Sequence, residues 1–187
     1  KSPYWARKQL AAGAIGICCA KVGEAEVMVE AGVPDVMITN QVIGASKITR
    51  MVALARAATV IVAVDDSSNV QQLSEIASAA GAELGVIVEI NVGQDRCGVD
   101  GDGGVELARQ IAASPGLRFD GLMGYEGHIV AERDYETRKT EAEKSMAVLL
   151  GAADQIRIAG IEVKVVSASG TGTYSITGRV DGVTELQ

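Results

Sequence analysis

The sequence predicts an α/β fold, a partial (β/α)8 TIM barrel, on three observations. Short Val- and Ile-rich runs alternate six times with amphipathic helical stretches along the 187 residues, a pattern that calls for parallel strands joined by crossover helices. Those runs show little polar alternation, as expected of strands buried on both faces. The units recur at roughly 20 to 30 residues and no Gly-x-Gly-x-x-Gly follows the first strand, which favours a barrel over a doubly wound sheet.

The elements follow in order. AIGICC (14–19) is the first strand, and the helix over 22–31 stops at Gly32. VMITN (36–40) precedes a helix over 45–57, and TVIVAV (59–64) leads through DDSSN to a helix over 70–80. There Asp or Ser is placed as N-cap and Gly81 as C-terminal stop. LGVIVEINV (84–92) precedes a helix over 104–113, FDGLMGY (119–125) precedes a long helix over about 132–159, and VKVVSAS (163–169) is the last strand. Charges over 132–144 read as the solvated face of that long helix.

Composition narrows the function. At 48% hydrophobic the chain supports one sizeable core. A net charge of −7 without Lys/Arg blocks predicts no nucleic-acid partner and no anionic membrane surface. No apolar stretch approaches the roughly 18 residues of a membrane span. Three cysteines and one histidine give neither zinc spacing nor a disulfide framework, so a cytoplasmic location is expected, with Cys18 and Cys19 as small buried hydrophobes. The chain opens on Lys1 without Met and stops at TELQ, so a piece of something larger is expected.

Polar residues collect where strands hand over to helices: Asn40, Asp65, Asp66, Arg96, Tyr125, Glu126, His128 and 167–173. In a barrel these points share the rim that carries ligand sites. Arg96, between Gly93 and Gly98, offers a guanidinium fork to a phenolate or carboxylate; its bland alternative is a surface ion pair. SASGTGTY (167–174) offers backbone N–H groups and the hydroxyls of Ser169, Thr171 and Thr173 to a phosphate, or is simply a polar loop. His128 is the only imidazole, and Tyr125 either enters the rim or packs.

GAIGICCAKVGEAEVMVEAG, VMITNQV, VDD, VEINVGQDRCGV, GLMGYEGH, SASGTGTY and TELQ resemble successive segments of the D-threonine aldolase and D-serine dehydratase family, pyridoxal-phosphate enzymes on a barrel of the alanine racemase N-terminal type. The resemblance covers essentially the whole chain, and it implies that 1–187 is a pyridoxal 5'-phosphate-binding barrel domain truncated at both ends, with a C-terminal β domain absent. By it, Arg96 is similar to the arginine near the cofactor's phenolic oxygen and Tyr125 to a tyrosine lining its pocket. Ser169, Gly170, Thr171 and Gly172 resemble the phosphate-binding GGTG, with Ser169 in place of a glycine. His128 is a catalytic pocket candidate. The family's Schiff-base lysine falls three residues before Lys1, Lys1 resembles the second lysine of K-x-H-K, and Lys21 is a helix-start residue. The metal-binding His and Asp belong to the C-terminal domain, so this chain carries no metal ligands.

The implied activity is metal-assisted cleavage (Mn, Mg or Zn) of small 3-hydroxy-D-amino acids to glycine and an aldehyde, by a homodimer. The alternatives are a D-serine or 3-hydroxyaspartate dehydratase of the same family and a non-catalytic cofactor-binding barrel protein.

Overall fold

The computed structural model describes residues 2–187. Seven strands stand in one sheet in chain order: β1 (Ile17–Cys19), β2 (Asp35–Gln41), β3 (Thr59–Val64), β4 (Leu84–Glu89), β5 (Leu117–Gly124), β6 (Val165–Ala168) and β7 (Glu185–Leu186). The pairings β1–β2, β2–β3, β5–β6 and β6–β7 are parallel. The helices are α1 (Pro3–Ala11), α2 (Val22–Glu30), α3 (Ala45–Leu54), α4 (Ser67–Ala79), α5 (Gly101–Ala113), α6 (Tyr135–Ile158) and α7 (Tyr174–Thr177). The sequence predicts six strands; β7 is the seventh, and α1 and α7 are likewise additional. No described helix is long and apolar enough to cross a membrane.

The chain divides into two compact units, residues 1–86 with 110–119, and 87–109 with 120–187. In the first, β3 is buried at five consecutive positions, Val60 to Val64, so its Val/Ile run faces apolar neighbours on both sides as predicted. Burying one such side chain contributes about 1.5–3 kcal/mol, so this strand outweighs the unit's exposed ion pairs. Helices α2, α3 and α4 bury Met28, Met51 and Leu73. Cys19 is fully buried, whereas Cys18 is only half-buried.

Helix α4 begins at Ser67, three residues before the predicted start, because Asp66 caps it: the Ser68 and Asn69 N–H groups donate to its carboxylate at 2.9 and 3.2 Å. The Ser68 hydroxyl also donates, and these bonds, the hydroxyl's first, hold the Asp66 carboxyl below its ordinary value. A depressed carboxyl stabilises the folded chain above the unfolded-state value near 4, and that stabilisation is lost as pH falls through the lower folded value. Asp66→Asn keeps a capping acceptor but cannot titrate. The difference in thermal midpoint between the two proteins should therefore shrink from about pH 5 to about pH 2; a pH-independent difference would reject the capping charge.

The second unit is organised by α6. Its buried residues, Ala142, Ser145, Met146, Leu149, Ala152, Ala153 and Ile156, recur every three or four positions on one face. The opposite face carries the pairs Lys144–Glu141 (2.7 Å) and Lys139–Glu143 (3.9 Å), the solvated face expected from sequence. The helix starts at Tyr135, later than predicted, because Asp134 accepts the Thr137 N–H at 2.8 Å and serves as its N-cap. Ser145 Oγ donates to the Val92 carbonyl at 2.9 Å, tying the helix to the loop after β4. Strands β5 and β6 approach closely at Gly121, whose φ is +153° and where a Cβ would overlap the Val165 carbonyl oxygen.

Candidate functional site

Strand β4 ends at Glu89 rather than at the predicted Val92. The Val99 N–H donates to the Glu89 carbonyl (3.0 Å) and the Asn91 N–H to the Val99 carbonyl (2.9 Å), so the intervening residues close into a loop on their own stem. The Asn91 side chain fills that loop: its Oδ1 accepts the Gly93 and Asp95 N–H groups (3.0 and 3.2 Å), and its Nδ2 donates to Asp95 Oδ1 (2.8 Å). Gly98 is required at the base, since its φ is +96° and a Cβ would stand 2.6 Å from the Asn91 backbone nitrogen. Arg96 rides on this braced loop, exposed, with no hydrogen-bond or ion-pair partner among the described residues.

The Arg96 guanidinium lies 5.6 Å from the centre of the Tyr125 ring, a cation–π distance that contributes about 0.5–1 kcal/mol at an exposed position. Tyr125 follows β5 directly and is half-buried. A Cβ on Gly170 would come within 2.8 Å of Tyr125 Cε2, so the ring also lies against the Gly-rich loop. His128 is exposed, with its Nε2 3.0 Å from where a Gly93 Cβ would stand. Arg96, Tyr125 and Gly170 thus form a chain of contacts within the second unit, and His128 lies beside Gly93 of the Arg96 loop.

The loop after β6 is held from beneath. Ser169 has φ +87°, a left-handed backbone costly for any residue but glycine. Its N–H donates at 2.9 Å to Glu126 Oε2, and the Thr177 hydroxyl donates to Glu126 Oε1 at 2.6 Å. Of the three hydroxyls that the sequence offers to an anion, two are already engaged: Ser169 Oγ donates to the Gly170 carbonyl (3.1 Å), and Thr173 Oγ1 accepts the Gly170 N–H (3.1 Å). Both residues are buried. Thr171 is exposed, and the N–H groups of Thr171 and Gly172 have no partner among the described residues. Glu126, which the sequence reading placed at the strand end without a role, is the side chain that holds this loop; its signal is a carboxylate between Tyr125 and Gly127 directly after a buried strand.

The remaining candidates have local tasks. Asn40 Nδ2 donates to the Ala20 carbonyl (3.1 Å), and Asp66 caps α4. Lys21 occupies the N-cap position of α2 as expected. Lys1 lies outside the described residues. Among the described residues no three His, Cys, Asp or Glu side chains cluster as metal ligands.

The model of the alanine racemase N-terminal domain matches residues 4–183. The chain is 39% identical over its whole length to D-threonine aldolase of Arthrobacter sp., covering 50% of that protein. It superposes with a TM-score of 0.97 and 42% identity on the crystal structure of D-threonine aldolase from Filomicrobium marinum, over 99% of this chain and 50% of that one. With D-threo-3-hydroxyaspartate dehydratase from Delftia sp. HT23 the TM-score is 0.90 and the identity 29%, over 100% of this chain and 50% of that one. The chain therefore spans about half the length of these three relatives.

Proposed function

Because the chain belongs to the family of the alanine racemase N-terminal domain, with that domain's partial barrel fold, we propose that it is the cofactor-binding part of a pyridoxal-phosphate lyase that cleaves 3-hydroxy-D-amino acids to glycine and an aldehyde. The observation that carries this reading is the contact between Arg96, Tyr125 and the loop of Ser169 to Gly172. A cation, an aromatic ring and unengaged backbone N–H groups suit a flat aromatic anion with a phosphate tail.

The residues fit such a group. The N–H groups of Thr171 and Gly172 and the Thr171 hydroxyl would hold the phosphate. Arg96 would donate to the ring's phenolic oxygen and keep it ionised, and Tyr125 would wall the ring. Bound pyridoxal phosphate supplies an electron-withdrawing ring that stabilises negative charge at Cα of an amino acid. A guanidinium serves that chemistry because its planar fork of donors matches an anionic oxygen. His128, beside Gly93, is the imidazole available to accept or return a proton at the substrate hydroxyl. A divalent metal, a homodimer and a cytoplasmic setting belong to the proposal for the whole protein.

The similarity to the Delftia enzyme supports a second reading, dehydration of the same substrate class. Incubation of the whole protein that contains this chain with pyridoxal phosphate, Mn²⁺ and D-threonine is expected to yield glycine and acetaldehyde, and chelation by EDTA to suppress the yield. A keto acid with ammonia would transfer the assignment to the dehydratase, and absence of both product pairs across 3-hydroxy-D-amino acids would overturn the lyase reading.

A further inference from the structure

Glu126 is fully buried, at 0% exposure, and has no Lys or Arg partner among the described residues. A buried carboxylate without a cation is costly unless hydrogen bonds satisfy it. Here both oxygens are used, and both partners lie far along the chain: the Ser169 N–H is 43 residues away and the Thr177 hydroxyl 51. One side chain therefore clamps the two ends of the segment from β6 through α7, and the unengaged N–H groups of Thr171 and Gly172 lie between the clamped points. The same residue is bonded in sequence to Tyr125, whose ring lies against Gly170.

We propose that Glu126 is a positioning residue for the phosphate-binding loop. Resting on the pyridoxal-phosphate reading, it fixes Ser169 in its left-handed backbone and so presets the Thr171 and Gly172 N–H groups before the ligand arrives. It touches neither the cofactor nor the substrate. The Ser169 N–H, spent on Glu126, is withdrawn from the phosphate, which leaves the two following N–H groups as the anion's backbone donors. A preset loop spares the ligand the ordering of several residues on binding, and affinity gained in this way is specific to the part of the ligand that the loop receives.

The test separates the phosphate from the rest of the cofactor. Affinities for pyridoxal 5'-phosphate and for pyridoxal, which lacks the phosphate, are measured by absorbance and fluorescence titration on the wild type, Glu126→Ala, Glu126→Gln and Thr177→Val, with a thermal midpoint for each. Glu126→Ala is expected to weaken pyridoxal-phosphate binding roughly 10- to 100-fold, the loss of one or two bonds to a charged group, while pyridoxal binding changes less than about twofold. Glu126→Gln, which still offers an acceptor to Ser169 and a partner to Thr177, should stay within about threefold of wild type. Thr177→Val removes one clamp point at nearly constant shape and should give an intermediate, phosphate-specific loss even if the alanine variant does not fold. Wild-type affinity for pyridoxal phosphate in folded Glu126→Ala or Thr177→Val, or an equal loss for both ligands, overturns the proposal. Failure of the wild type to bind pyridoxal phosphate would instead sink the functional reading on which it rests.

Discussion

Gly121→Ala is expected to leave little folded protein. At this position in β5 the added methyl would overlap the Val165 carbonyl oxygen of the neighbouring strand, and φ is +153°. The obstacle is backbone rather than the flexible end of a side chain, so rotamer changes cannot relieve it. Forcing extra volume into packed structure costs about 1–3 kcal/mol, and more where the backbone must move; set against a typical total stability of about 5–15 kcal/mol, the loss is a large share. The register lost is Gly121–Val165 through Gly124–Ala168, which delivers Tyr125 and Glu126 beside Ser169. Soluble yield and the urea midpoint should therefore fall together with cofactor affinity. An alanine variant with the wild-type midpoint would show that β5 and β6 do not approach this closely.

Arg96→Ala should spare the fold and damage the site. The loop that carries Arg96 is braced by Asn91, Gly98 and the Ile90–Val99 bridge, and Arg96 itself makes no hydrogen bond or ion pair among the described residues, so its truncation removes only the stacking on Tyr125. If its guanidinium donates to the cofactor's phenolate, the lost charge-assisted bond is worth about 1.5–3 kcal/mol, or roughly 10- to 100-fold in affinity. The cofactor's visible absorbance should shift as well, because the phenolate loses the cation that favours its ionised form. Arg96→Lys keeps the charge without the planar fork and should recover only part of both. An unchanged spectrum, affinity and rate in the alanine variant would reject the assigned role, whereas an unchanged urea midpoint is the expected control.

Much of this architecture is legible in the residues because it rests on burial and on chain punctuation. The run TVIVAV forms β3 over its predicted extent, Thr59–Val64. The loops around Arg96, Tyr125 and Ser169 are legible as candidates because each follows a buried strand. What escapes has too little pattern to read. Helix α1 buries only Ala6, so PYWARKQLA carries no apolar stripe; β7 is two residues long and α7 four. Strand β4 is overextended in the sequence reading because its alternation runs on to Val92, whereas the Asn91 side chain captures the Gly93 and Asp95 N–H groups and starts a loop. Glu126 is legible as a strand-end residue but not in its role, because only the two donors from far along the chain account for its burial. The same distance hides the sharing of donors in the Gly-rich loop, where Ser169 and Thr173 serve the loop itself.

Strand order that follows chain order also sets a sequence of events for the folding chain. Each strand docks beside its predecessor, but the intervals are unequal: Ile17 meets Val36 soon after it along the chain, while Gly121 must wait for Val165 until all of α6 has been traversed. Closure entropy rises with the logarithm of loop length, by about 0.6 kcal/mol per doubling, so β6 joins β5 at a greater penalty than β2 joins β1. The clamp from Glu126 to Ser169 and Thr177 closes across that same long interval. In refolding experiments helical signal should accordingly return before the capacity to capture ligand, so that competence for binding is the final property the chain acquires.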